Sequence, residues 1–170
     1  SQLGASLTLD TTYAEGPNKL PAEQLDALIA AKCPLEKLIT DTIDREQAIR
    51  LAQLPTLRTV TATLLDDASV DALKVLPLES IHVPHLNASV VASLMQYPNL
   101  WFILADRMEA PVSIASPLLS NPSVLSISVQ RFRGSEAEIQ SAKRTRLGVQ
   151  EFEVVKRTED SAPNGPVESP

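Results

Sequence analysis

The segment Pro77-Leu78-Glu79-Ser80-Ile81-His82-Val83 carries a pattern that recurs along much of the chain. An apolar residue, Leu78, is followed by two polar residues, after which apolar and polar residues alternate. The pattern recurs with a period of roughly 22 residues, and its other copies begin at Leu35, Leu57, Leu100 and Val124. This spacing indicates a repeat architecture in which each structural unit stacks on the next.

Segments with helical periodicity follow the copies that begin at Leu35, Leu57 and Leu78. Each segment begins with a residue suited to cap a helix, because side-chain oxygens of Asp and Asn accept hydrogen bonds from the free N–H groups of a first turn. These capping residues are Asp44, Asp67 and Asn87. A proline closes each segment, since proline cannot continue a helix. These prolines are Pro55, Pro77 and Pro98. The sequence therefore predicts short strands and short helices in alternation.

The outer units are less regular. Residues 6–10 are predicted as a first short strand, and Pro21 opens a helix of about three turns. The unit that begins at Leu100 contains Pro111 and Pro117, so we expect a broken helix or turns after its strand.

Ser135 and Glu138 have the spacing of a capping box and predict a further helix that ends before Gly148. The cations expected in its last turn are Lys143, Arg144 and Arg146. Residues 1–157 are predicted to form a single domain. Residues 158–170 are acidic, contain several prolines and have few apolar residues, so we expect a disordered tail there.

One face of each predicted strand is polar, which discriminates between two architectures. The central strands of a doubly wound sheet are buried on both faces and are nearly continuous in Val, Ile and Leu. Here Thr59 and Thr61 alternate with Val60 and Ala62. The five glycines form no glycine-rich turn of the kind that cradles phosphate. The sequence therefore favours an α/β solenoid with a parallel sheet on its concave face and short helices on its convex face.

These repeats resemble the leucine-rich-repeat family. The matching residues are Leu57, Val60 and Ala62, then Asp66-Asp67-Ala68-Ser69-Val70-Asp71-Ala72-Leu73, and then Leu76-Pro77-Leu78. They are similar to bacterial repeats whose convex segment reads Asp-Ala-x-Leu-x-x-Leu, and the resemblance covers about five central repeats, roughly residues 33 to 132. The consensus is degenerate, because apolar residues that we expect to point into the core replace the family's asparagine ladder. The replacements are Ile43, Leu65, Leu86, Met108 and Phe132.

Composition limits the classes of function. The chain has 170 residues, of which 44% are hydrophobic, and its net charge of −6 argues against nucleic acid as a partner. No apolar run approaches the roughly 18 residues of a membrane-spanning helix. A single cysteine, Cys33, excludes an intrachain disulfide and is expected to pack as a small buried residue. The start at Ser1 rather than Met indicates that an N-terminal piece was removed, and it leaves the compartment open.

If the repeats stack in register, the polar face of the sheet forms columns of side chains. The expected columns are Lys37, Thr59, Ser80, Phe102 and Ser126, and Ile39, Thr61, His82, Leu104 and Ser128. Trp101, Phe102 and Leu104 thus fall where water is expected. Exposed apolar side chains of this kind commonly anchor a protein partner. Two interpretations of Trp101 and Phe102 stay open, namely an interface or packing over the sheet edge.

Other residues admit a metal site or an anion site. His82 and His85 could join Asp106 from the next repeat at a metal, but residues three apart on an extended segment point to different faces, which favours surface histidines. The basic residues are concentrated at Arg131, Arg133, Lys143, Arg144 and Arg146. Glu136 and Glu138 lie among them, which favours a solvated face over a phosphate-binding patch.

The resemblance implies a binding scaffold, and the sequence shows no catalytic motif. We therefore expect a non-catalytic module, without cofactor or metal, that binds a protein partner through its concave sheet. The predicted partner-binding residues are Trp101, Phe102, Leu104, His82, Arg58 and Arg107. The alternative is a structural subunit or fragment of a larger assembly whose contacts lie at the solenoid ends.

Overall fold

A computed structural model describes residues 7–12 and 20–155 of the chain. Seven strands in these residues form one parallel sheet in which the strand order follows the chain order. The strands are β1 (Leu7–Asp10), β2 (Leu35–Ile43), β3 (Thr59–Leu65), β4 (Ser80–His85), β5 (Phe102–Glu109), β6 (Ser126–Gly134) and β7 (Leu147–Val154). The predicted α/β class and parallel sheet are thereby confirmed.

Helices connect the strands, and consecutive helices among the first five contact each other. They are α1 (Ala22–Ala30), α2 (Arg45–Leu51), α3 (Asp67–Leu73), α4 (Ala88–Leu94), α5 (Ser116–Ser120) and α6 (Glu136–Ala142). A 3₁₀ turn, Val112–Ala115, precedes α5, so the segment after β5 is broken as its prolines predict. None of the helices in residues 20–155 has the length and apolar character needed to cross a membrane.

The core lies between the helices and one face of the sheet. Each of strands β3 to β6 contributes residues from the repeated apolar positions, and Val60, Ile81 and Ile103 form one buried row in register. Burial of an aliphatic side chain of this size stabilises the fold by about 1.5–3 kcal/mol. Five further apolar residues, one after the apolar and polar alternation of each repeat, are also buried, as predicted, with exposures of 6% or less. They are Ile43, Leu65, Leu86, Met108 and Phe132.

Three of the predicted helix caps, Asp44, Asn87 and Ser135, are correct, and one is displaced. The carboxylate of Asp44 accepts from the Gln47 N–H at 2.9 Å, and Asn87 caps α4 in the same way. The cap of α3 is Asp66 rather than Asp67, because Asp66 has the extended backbone conformation that a cap requires and accepts from the Ser69 N–H. Asp67 is instead the first helical residue.

The predicted C-terminal ends are wrong for the three central helices and for α6. Helices α2, α3 and α4 each end four residues before the proline, because i to i+3 hydrogen bonds such as Leu54 N–H to Leu51 O tighten the chain into turns. Helix α6 ends at Ala142, so Arg144 and Arg146 lie beyond it. Gly148 does not follow the helix but pairs with Ser128 inside β7.

Several expectations fall partly or wholly outside the described residues. These are the start of the first strand at Ser6, the tail over residues 158–170 and the full extent of the domain predicted for residues 1–157. Cys33 is partly buried and packs against the core, which is close to its expected packing role.

Candidate functional site

The face of the sheet that is turned away from the helices carries the two predicted columns, and we call it the open face. Its first column is Lys37, Thr59, Ser80, Phe102 and Ser126, and its second column is Ile39, Thr61, His82, Leu104 and Ser128. Both columns have the predicted register across β2 to β6. All of these residues are partly or fully exposed. Neighbouring strands lie about 5 Å apart, so each column is a continuous row of side chains.

An apolar patch occupies one end of the open face. Phe102 lies between Ser80 and Ser126, and Leu104 lies two residues further along the same strand. The ring of Trp101 lies 5.9 Å from that of Phe102 at an interplanar angle of 52°. Trp101 is nevertheless 43% exposed. It therefore packs on its neighbour and still presents a large apolar surface to water.

Leu125 extends this patch and was missed in the sequence. The Leu125 N–H donates to the Trp101 carbonyl at 2.9 Å, and the Trp101 N–H donates to that of Glu79 at 3.1 Å. Leu125 thus sits beside Trp101 at the same position of the next repeat, and it is 73% exposed. Counting repeat positions one residue before the first column would have identified it. We call Trp101, Phe102, Leu104 and Leu125 the apolar patch.

The two predicted arginines lie apart from the apolar patch. Arg58 is half-buried at the start of β3, two strands from Trp101, and its guanidinium donates to the Pro77 carbonyl at 3.3 Å. Arg107 is exposed and lies five residues beyond Phe102 on β5, about 16 Å along the strand. Its guanidinium has no ion pair or side-chain hydrogen bond within residues 7–12 and 20–155. Arg107, unlike Arg58, is therefore a cation available to a ligand.

His82 forms a hydrogen-bonded pair with Asp106 rather than a metal site. Its Nε2 lies 2.6 Å from Oδ1 of Asp106, and its side chain is only 13% exposed. Its Nδ1 is buried without a partner among the described residues. His85 is exposed and lies beside Arg107, so the two histidines do not converge. The expectation of surface histidines thus holds for His85 and is wrong for His82, which packs between Thr61 and Leu104 in its column.

No metal-binding arrangement of three or more His, Cys, Asp or Glu side chains occurs within the described ranges of the chain. The His82–Asp106 contact therefore stands alone. Its geometry fixes the imidazole beside Leu104, at the border of the apolar patch. The pair thus positions a polar group where an apolar surface ends.

Ion pairs cover the other end of the open face. Arg131 lies 3.3 Å from Glu151, and Arg133 lies 3.5 Å from Glu153 and 4.0 Å from Glu109. Such exposed pairs contribute only about 0.2–1 kcal/mol each, so they organise charge more than they stabilise the fold.

The remaining basic residues do not join these arginines. The Lys143 ammonium lies over the Phe152 ring, 5.2 Å from its centroid, and Arg146 donates to the Leu119 carbonyl. Arg131 and Arg133 are paired with glutamates instead. The predicted concentration of basic residues is thus dispersed into separate contacts, which agrees with the solvated face favoured from the sequence.

Comparison of the chain with models of protein families, with curated proteins and with solved structures found no match in any of the three. The fold and the open face therefore define a class only: an α/β protein whose parallel sheet is covered by helices on one face. Its other face carries an apolar patch at the strand starts and charged residues at the strand ends.

Proposed function

We propose that this chain is a non-catalytic protein-interaction module, a leucine-rich-repeat-like solenoid that binds a partner protein on the concave side of its sheet. The strand order, the contacts between successive helices and the buried repeat positions all support a stacked arrangement. The open face would then be the concave surface, and the helices would form the convex one.

The single observation that carries this proposal is the apolar patch. Apolar groups gain roughly 25 cal/mol for each Å² removed from water, and aromatic residues dominate the energetics of protein interfaces. Trp101 at 43% and Leu125 at 73% exposure are adjacent, and Phe102 and Leu104 continue the surface inward. A partner that covered this patch would gain most of its binding energy there.

The neighbours of the patch indicate what the partner brings. Ser126 and Ser128 flank Phe102 and Leu104 with small side chains, which leaves room for an inserted aliphatic or aromatic group. Arg107, about 16 Å along the strand, offers a guanidinium to a carboxylate. We therefore propose a protein partner with an apolar anchor for the patch and an acidic side chain at that distance.

The first test is a double variant, Trp101→Ala with Phe102→Ala, compared with the wild type in a pull-down from the native source. The matched control is Val75→Ala, since Val75 is an apolar residue with 69% exposure that lies outside the open face. We expect the double variant to lose the captured partner and the control to retain it. Capture that is unchanged in a folded double variant would refute this surface.

The second test concerns the carboxylate. Arg107→Glu should weaken binding of the same partner about tenfold or more, because it replaces an attraction by a repulsion. Arg144→Glu is the control, since Arg144 is also exposed but follows α6. Equal losses in both variants would indicate a non-specific dependence on net charge and would contradict the proposed contact.

A second candidate is a structural subunit of a larger assembly with contacts at the ends of the sheet. Phe152 on the outermost described strand is only partly buried, although it belongs to the core row of Phe132, which is fully buried. Sedimentation of the isolated chain discriminates between the two candidates, because a stable monomer at micromolar concentration contradicts an obligate assembly.

A further inference from the structure

Strand β7 is the last strand of the described sheet and is hydrogen-bonded to β6 alone. It spans eight residues, Leu147–Val154, and contains no proline. In a parallel sheet, alternate residues of an edge strand direct their N–H and C=O groups away from the sheet. Within the described part of the chain these outward groups meet no further strand, so β7 offers a template for strand addition.

The core side of β7 is an incomplete layer. Val149 and Phe152 are only partly buried, whereas Val129 and Phe132, their register partners on β6, are fully buried. The Phe152 ring meets the Phe132 ring edge to face at 6.1 Å. Lys143 lies over Phe152 and supplies a methylene stem as a partial cover. A further strand with an apolar residue in this row would complete the burial.

Two rows of charged residues cross the open side of the same strands, and both end at a glutamate of β7. Glu109, Arg133 and Glu153 alternate in sign across β5, β6 and β7, whereas Arg107 and Arg131 share a sign before Glu151. Glu151 and Glu153 keep 64% and 49% of their side chains exposed. The next strand in this series would therefore be favoured by cations opposite both glutamates.

We propose that β7 accepts an extended segment of a partner protein as an eighth strand, and that this segment carries a basic, apolar, basic triplet opposite Glu151-Phe152-Glu153. The inference is independent of the apolar patch, because β7 lies two strands from Phe102. A second copy of β7 fits poorly. Antiparallel pairing of two copies about Phe152 would set Glu151 opposite Glu153, and like charges opposed across strands are destabilising.

The chain itself supplies a probe with this pattern, since β6 contains Arg131-Phe132-Arg133 and already pairs with β7 in the required register. The experiment is a titration of the ¹⁵N-labelled full chain with a synthetic peptide of the β6 sequence, Ser126–Gly134. We expect shifts of the β7 and α6 amides. A peptide with Glu in place of both arginines should bind about tenfold more weakly.

A charge swap in the chain tests the pairing itself. The double variant Glu151→Lys with Glu153→Lys should bind the glutamate peptide more tightly than the arginine peptide. The double variant Glu151→Gln with Glu153→Gln should bind both peptides equally, and it introduces no repulsion with Arg131 and Arg133. Glu36→Lys is the matched control, since Glu36 is an exposed glutamate at the opposite end of the sheet. It should leave the preference unchanged.

A peptide methylated on alternate backbone nitrogens should bind in neither charge form, because strand addition requires those N–H groups. Three results would overturn the proposal. They are equal affinity for the two peptides, shifts confined to Trp101, Phe102 and Leu104, and self-association of the chain that the lysine substitutions alter.

Discussion

Leu86 belongs to a buried apolar row with Leu65 and Met108, and the substitution Leu86→Asn tests whether this row accepts a buried amide. Leu86 is 2% exposed, and its backbone N–H already donates to the Arg107 carbonyl at 2.9 Å. An asparagine amide placed there would compete for backbone groups that are paired. We therefore expect Leu86→Asn to destabilise the fold more than Leu86→Ala does.

The magnitude follows from two contributions. Removal of a buried leucine side chain costs about 2–5 kcal/mol, which Leu86→Ala measures directly. A buried amide without partners costs a further 1–3 kcal/mol or so. The sum of roughly 3–8 kcal/mol is comparable with the total stability of a typical domain, about 5–15 kcal/mol.

Urea denaturation of the two variants, followed by circular dichroism, measures this difference in the free energy of unfolding. The wild type and Leu65→Ala provide the reference for an ordinary loss of volume in the same row. If Leu86→Asn proves as stable as Leu86→Ala or more so, the turn contains free backbone groups that an asparagine can satisfy. The inference that this row requires apolar side chains would then be wrong.

Three further predictions concern single contacts. Gly134→Ala should lower the free energy of unfolding by about 1–3 kcal/mol, because the added Cβ would lie 3.0 Å from Ala110 Cβ and 3.2 Å from the Phe132 ring. Gly148→Ala should be nearly neutral in the same urea assay, because its Cβ would meet no atom closer than 3.4 Å. Asp44→Ala should cost about 0.5–2 kcal/mol in thermal or urea unfolding through loss of the α2 capping box, and Asp44→Asn should recover most of it. Burial raises the pKa of Tyr97, whose hydroxyl donates to the Val70 carbonyl at 2.5 Å. The stability that the protonated hydroxyl contributes is therefore fully present below the unfolded pKa of about 10 and declines as the pH rises above it. Tyr97→Phe should flatten this alkaline decline in the free energy of unfolding.

Much of the fold follows from the sequence because the same local rules act in every repeat. The spacing of Leu57, Val60 and Ala62 fixes which side chains face the core, and the recurrence of that spacing fixes the register of neighbouring strands. The columns of the open face could therefore be predicted residue by residue. Helix ends could not, since the turns after α2, α3 and α4 are set by the burial of Leu54, Leu76 and Tyr97.

The parts of the candidate site that follow from strand register were predicted from the sequence. The hydrogen-bond partners of its side chains were not. Phe102 and Leu104 were identified because the columns place them outward, and Trp101 was identified as the aromatic neighbour of Phe102. Leu125, which like Trp101 precedes the first column, was missed. The pairing of His82 with Asp106 and the engagement of Arg58 with a carbonyl depend on rotamers that composition and spacing do not determine.

The two proposed surfaces place separate demands on a partner, and this separation makes them distinguishable. The apolar patch recognises side chains and tolerates any backbone conformation that delivers an apolar group and a carboxylate. The β7 edge requires an extended backbone in its ligand. It also favours basic side chains, whereas Arg107 favours an acidic one, because the exposed charged groups of β7 are glutamates. An acidic ligand should therefore bind at Arg107 and be excluded from β7, whereas a basic extended ligand should behave in the reverse manner. Because Arg107 and Glu151 lie in one charged row with Arg131 between them, raising the ionic strength should weaken both contacts without affecting the apolar patch.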